Sequence, residues 1–279
     1  MDLDQLLADR FGSGRPDISF KDVSSVAEGM LEHRSCRSFD PRPVEASLVE
    51  VVLAAALSSP SKSDLQQTTV LWLVDPELRS SVLALLPATD YDWVHAAAEA
   101  FVFCADNRRL RRAAARLGRP FPNNNLDQFM NVAVDTGIVL GAAITAASSF
   151  GLGTCPLSEL RDRAGELIEL LELPAGVIPI AGLVLGWPDD TARPITQRLP
   201  FDVRVHRNTY TDASFDATSD TYEAERDRAE GRPDDQQRDV DVFGVVRPYG
   251  WAEDRTRQYS VPRRADWADH VRRQGFGLD

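Results

Sequence analysis

Lysine is almost missing from this chain of 279 residues: Lys21 and Lys62 are the only two, and arginine supplies the rest of the 31 basic side chains. That bias reads as base composition of the genome, with adaptation to high salt as the alternative. Positive charge is scarce overall, with a formal net charge of −12 and a pI near 4.9. Such a surface repels nucleic acid and anionic membranes, so neither is an expected partner, although a local arginine cluster can still hold a phosphate. Cysteine is rare as well. Cys36, Cys104 and Cys155 are scattered without paired spacing, which argues against a disulfide framework and against a zinc site. They read as reduced thiols in a cytoplasmic protein, with no metal. No charged-then-apolar signal segment opens the chain. The most apolar stretch, 132–150, is interrupted by Asp135 and rich in small residues, so a buried helix is expected there rather than a membrane span. No G-x-G-x-x-G follows a strand pattern; a dinucleotide, if used, docks outside a Rossmann cleft.

What is present is an alternation of periodicities. Helical spacing covers residues 20–31, 44–58, 77–86, 108–117 and 126–150. Ser158 is placed to cap a further helix running to 171. Branched and bulky apolar runs at 68–74, 100–105 and 177–185 predict strands, the first stopped by Asp75-Pro76. Gly151 and Gly153 end the long helix. The 108–117 helix is basic and reads as a solvated face. Strands separated by helices indicate an α/β or α+β layer fold. Residues 212–241 carry eleven acidic side chains against four arginines and few apolar ones, which predicts a mobile or peripheral loop. The chain thus divides into 1–210 and an acidic loop with C-terminal extension, 211–279.

Four segments carry candidate chemistry. In His33-Arg34-Ser35-Cys36-Arg37-Ser38-Phe39 the two arginines are three apart. On a helical turn they share a face and could close on an anion, or they form a basic helix end facing solvent. Residues 58–66 supply hydroxyls, an amide and backbone N–H groups that could clasp a polar ring edge, or they form a plain connecting loop. Residues 151–157 and the Gly186-Trp187-Pro188 turn, with Arg198 beyond it, complete the set.

Together these segments resemble the nitroreductase family. "HRSCRSFDPRPV" resembles its N-terminal signature, "SSPSKSDLQ" its serine-rich loop and "GLGTCPL" the turn covering the isoalloxazine. "LELPAGVIPIAGLVLGWP" resembles the strand leading to the last phosphate ligand. "QRLPFDVRVHRNTY" and "RRADWADHVRRQGF" look like the NADPH-linked, oxygen-insensitive branch with a C-terminal extension. The resemblance runs from about His33 to Tyr210 and resumes near Arg263. It implies an α+β fold with a central mixed sheet flanked by helices, in an interlocked homodimer whose core is the 126–150 helix. It implies FMN held by His33, Arg34, Ser35, Arg37, Ser61, Ser63, Asp64, Gln66, Pro156, Leu157, Ser158 and Arg198. NADPH or NADH would be the electron donor, with Arg263 and Arg264 reading the dinucleotide. The chemistry would be ping-pong hydride transfer through flavin N5 to a nitroaromatic, quinone or flavin acceptor. No side chain need act as acid or base, and Arg37 is the candidate charge near flavin N1. Four positions depart from the pattern. Asp64 stands where asparagine is common, Ser158 and Glu159 where close relatives have glycines beside the ring, and Thr196 where the branch is often basic. The alternatives are a flavin-binding protein without turnover and another flavin chemistry, such as reductive dehalogenation.

Overall fold

The computed structural model describes residues 2–20, 22–87, 91–189 and 195–279; Lys21 lies outside them. Its strands are β1 (Thr68–Trp72), β2 (Glu99–Asp106), β3 (Gly153–Leu157) and β4 (Val177–Gly186). The principal helices in chain order are α1 (Leu3–Phe11), α2 (Ser25–Glu32), α3 (Ala46–Leu57), α4 (Pro76–Leu83), α5 (Arg108–Arg116) and α6 (Leu126–Ser149). They continue with α7 (Ala164–Leu170), α8 (Ala213–Glu230), α9 (Trp251–Tyr259) and α10 (Trp267–Arg273). The α+β class is as expected. The strands lie in the order β1-β2-β4-β3, and every described pairing is antiparallel, where the resemblance implied a mixed sheet.

The period-2 pattern of the strands sorts the core into two layers. Phe101, Phe103, Leu183 and Leu185 point to one face, which α3 and α6 cover through Val49, Val52, Val139 and Ala143. Val102, Cys104, Cys155 and Val184 point to the other, packed against Val82 of α4 and Leu167 of α7. Helix ends follow local chemistry. Asn125 accepts from the Gln128 amide to start α6, Asp75 does the same for Leu78 with Pro76 in the first turn of α4, and Gly151 stops α6 with φ +78°. By length and composition α6 is apolar enough to cross a membrane. It packs on α3 and the sheet.

Four sequence expectations are corrected. The glycine-led segment after α6 is not only a stop: 153–157 pair with β4 as an edge strand. The helix expected over 158–171 breaks into a 3-10 turn, Glu159–Arg163, and α7. Ser158 does not cap it; its hydroxyl donates to Glu159 Oε2 at 3.1 Å instead. The basic helix α5 is more than a solvated face, since Arg109 donates to Asp106 at 2.8 Å and Arg111 to the Gly275 carbonyl at 2.7 Å. Finally, residues 213–230 of the acidic stretch form α8. Buried Tyr222 anchors that helix, Glu223 accepts from the Ala252 amide at 2.9 Å, and Asp227 pairs with Arg247.

The chain forms two compact units, each assembled from separate stretches. One contains residues 1–34 and 192–263, the other 35–191 and 264–279.

Candidate functional site

In the larger unit, the segment after His33 is extended rather than helical, since α2 ends at Glu32. The shared helical face imagined for Arg34 and Arg37 therefore does not exist, and neither does a basic helix end. The segment runs along the sheet edge instead. The Cys36 amide donates to the Thr154 carbonyl at 2.8 Å, Asp40 to the Trp187 carbonyl at 2.9 Å, and Phe39 bridges Pro188. Ser35 bonds Cys155, and the exposed Arg37 guanidinium lies 6.0 Å from the Trp93 ring centroid. Gly153 is required here: a Cβ would stand 2.7 Å from the Cys36 side chain.

Next to this edge, Glu159 is half-buried and bonded by Tyr91 and Ser158. Burial alone would raise its pKa. The backbone hydrogen bond, Tyr91, Ser158 and Arg264 outweigh that and hold it below the usual value, so a fixed carboxylate stands beside Ser158. Burial first, then Glu159, pushes the Tyr91 hydroxyl well above its ordinary range. Pro156 is exposed on the edge strand, whereas the Leu157 side chain is 1% exposed and belongs to the core, leaving only its backbone to face a ligand.

The serine-rich loop is organised by a residue no motif indicated. Asp135, buried in α6, accepts from the Ser61 hydroxyl at 2.7 Å, the Lys62 amide at 3.1 Å and Gln67 Nε2 at 3.0 Å. Ser61 also accepts from the Gln66 amide at 2.8 Å, and Gln66 Nε2 donates to Asp64 at 3.1 Å. Ser63, Asp64 and Gln66 all sit at positive φ (49°, 55° and 51°), a conformation non-glycine residues hold only when their surroundings impose it. Ser61, Asp64, Gln66, Arg109 and Asp135 line a cavity of about 490 Å³. The only early sign of Asp135 was a lone carboxylate inside an apolar helix.

In the smaller unit, His33, Arg34 and Arg198 share a neighbourhood with Arg10 of α1. Arg10 is 5% exposed. Its Nε donates to the Leu31 carbonyl at 2.8 Å and its Nη1 to that of Thr196 at 3.0 Å; its Nη2 reaches the carbonyls of Leu31 and His33. Burial, then Arg198 and Arg34, lowers its pKa to about 10. Burial, then Arg10 and Arg198, lowers that of His33. Among the described residues, the charges shifting both groups are cationic. Arg198 also lines a cavity of about 380 Å³ with Arg204, Arg226, Arg255, Tyr222 and Trp251, and no carboxylate lines it among the described residues.

Of the two C-terminal arginines, Arg263 is exposed, while Arg264 pairs with Asp162 and acts on Glu159. The three cysteines are free thiols, and no group of metal-ligating side chains occurs among the described residues. Burial pushes Cys104 up to about 12, so it is inert as a nucleophile.

Residues 30–187 match the model of the nitroreductase family, and residues 197–279 that family's C-terminal domain. The chain is 37% identical over 190 residues to an FMN reductase [NAD(P)H] of Bacillus subtilis, covering 67% of this chain and 75% of that one. Identity and coverage are the same for an oxygen-insensitive NADPH nitroreductase of Salmonella typhimurium. Among solved structures, the hypothetical oxidoreductase YcnD of Bacillus subtilis matches with a TM-score of 0.80 and 29% identity, over 92% of this chain and all of that one. The NADPH:FMN oxidoreductase of Vibrio harveyi complexed with NAD+ matches with a TM-score of 0.72 and 25% identity, over 90% and 98%.

Proposed function

Because the chain belongs to the nitroreductase family, we propose that it is an FMN-dependent oxidoreductase. It takes hydride from NADPH or NADH and reduces a nitroaromatic, quinone or flavin acceptor in ping-pong order. The observation that carries this reading is the gathering of His33, Arg34 and Arg198 around Arg10, in a chain whose net charge is −12. A cationic group of that size suits one phosphate monoester, which an arginine fork binds through two oxygens. FMN, with one phosphate, fits this donor set.

Bound FMN supplies the two-electron chemistry, and the protein supplies binding, orientation and charge. His33, Arg34 and Arg198 would hold the phosphate. Arg37, beside Trp93, would place a positive charge near the ring, which Ser35 and the backbone at 156–158 would line. Ser61, bonded to Asp135, would form the polar wall with Ser63, Asp64 and Gln66. Glu159, restrained by Tyr91 and Ser158, would add a carboxylate beside the ring. It works as a cytoplasmic homodimer. An apolar stripe on α6 supports that: Leu126, Met130, Val134 and Ile138 are each 40–54% exposed, at every fourth position.

The test is direct. The purified protein is expected to carry FMN by mass spectrometry, and NADPH should bleach its visible absorption under anaerobic conditions. Bound FAD, or no affinity for flavin, would overturn the proposal.

A further inference from the structure

The N-terminal helix precedes the segment in which the family signature begins, yet it sends a guanidinium into the cationic cluster. Arg10 is nearly inaccessible, and its hydrogen bonds go to three main-chain carbonyls, those of Leu31, His33 and Thr196. The Arg10 carbonyl in turn accepts from the Arg198 amide at 2.7 Å. One residue therefore clips together two stretches of chain far apart in sequence. The first carries His33 and Arg34, the second Arg198. Taking a guanidinium out of water is costly unless its donors are satisfied and its charge is balanced. Here four donor–carbonyl contacts satisfy the donors, but the charges acting on Arg10 are those of Arg198 and Arg34, both of its own sign. Arg198 thus opposes the Arg10 charge, and an anion near these two side chains would relieve that repulsion.

We propose that Arg10 is a positioning residue for the phosphate end of the flavin site, and this rests on the FMN reading above. It fixes the backbone from which His33, Arg34 and Arg198 project, and adds its charge to the field the phosphate meets. It does not itself need to touch the ligand. Its loss should therefore weaken recognition of the phosphate and leave recognition of the ring alone.

Riboflavin, which is FMN without the phosphate, separates these effects. The flavin-stripped full-length chain is titrated with FMN and with riboflavin, and quenching of flavin fluorescence is followed. The wild type is expected to prefer FMN. In Arg10→Met the ratio of FMN to riboflavin affinity should fall by roughly tenfold or more, with riboflavin affinity held within about twofold. Arg10→Lys, which keeps the charge but cannot span three carbonyls, should fall between the two. A folded Arg10→Met with the wild-type ratio overturns the inference. So does loss of both affinities in parallel, the mark of a merely structural role. If Arg10→Met does not fold, Arg10→Lys decides: a reduced ratio supports the inference and an unchanged one overturns it. A wild type that binds neither flavin sinks the proposed function, whereas a wild-type FMN preference that survives both substitutions sinks only the role of Arg10.

Discussion

A charge-assisted hydrogen bond to a phosphate is worth about 1.5–3 kcal/mol, so Arg34→Ala or Arg198→Ala should weaken FMN binding by roughly ten- to a hundredfold. Both side chains are exposed, so circular dichroism should report an intact fold. Unchanged FMN affinity in both variants would remove the phosphate assignment. His33 gives a second, pH-dependent signature. Its folded-state pKa lies below 6.5 because burial, Arg10 and Arg198 disfavour the imidazolium. In the window just under 6.5 the unfolded chain therefore binds more protons at this site. The contribution of neutral His33 to stability is present above 6.5 and is lost as the pH falls through the folded pKa. The difference in Tm between the flavin-free wild type and His33→Asn should accordingly grow as the pH rises from about 5 to about 7. A difference that stays flat over that range would show that His33 does not titrate in this way. The residues that organise the site from behind left no comparable trace in the sequence. Arg10 finds Thr196 across 186 positions and Asp135 finds Ser61 across 74, and no local spacing encodes a partner at such a distance.

Among the elements, α6 serves two surfaces. Val139, Ala143 and Ala147 face the sheet, while Leu126, Met130, Val134 and Ile138 face outward without cover in the single chain. A carboxylate on the outward stripe would have to be desolvated for a second copy to pack there. Val134→Asp together with Met130→Glu should convert a dimer into a monomer at micromolar concentration, read by light scattering after gel filtration. A wild type that is already monomeric, or a double variant that remains dimeric, excludes α6 as the interface. Elements with strong periodicity were legible in the sequence. β2 and β4 follow from their branched and aromatic runs, and α3 and α6 from their helical spacing. β3 was not, because Gly153 and Pro156 lie within five residues and both depress strand propensity; its pairing with β4 is a tertiary effect. α8 was hidden by its acidity. It is held by Tyr222 and by carboxylates that bond the 247–252 backbone and Arg247, features a hydrophobic pattern does not register. α1 was missed as well, since its short amphipathic run stands apart from the motifs that organise the rest.

For the molecule as a whole, the net charge of −12 opposes the approach of a phosphorylated dinucleotide, so its recognition must rest on local arginines. Arg264 is held by Asp162 while Arg263 remains exposed. If this pair reads the extra phosphate of NADPH, Arg263→Ala with Arg264→Ala should raise the KM for NADPH roughly tenfold and leave that for NADH nearly unchanged. Equal effects on both cofactors, or a wild type that prefers NADH, would end the idea. The discontinuity of the two units bears on something else, the order in which the chain becomes folded during its synthesis. Residues 1–34 leave the ribosome long before their partners in the same unit, which begin only at residue 192 and end at 263. At ordinary translation rates the α1 arginine waits on the order of ten seconds or more for the strand of chain it clips. The sheet-bearing unit has its described strands by residue 186 and can collapse in the interval, with the helix Trp267–Arg273 added later. Neither unit corresponds to any single stretch that a truncation could release.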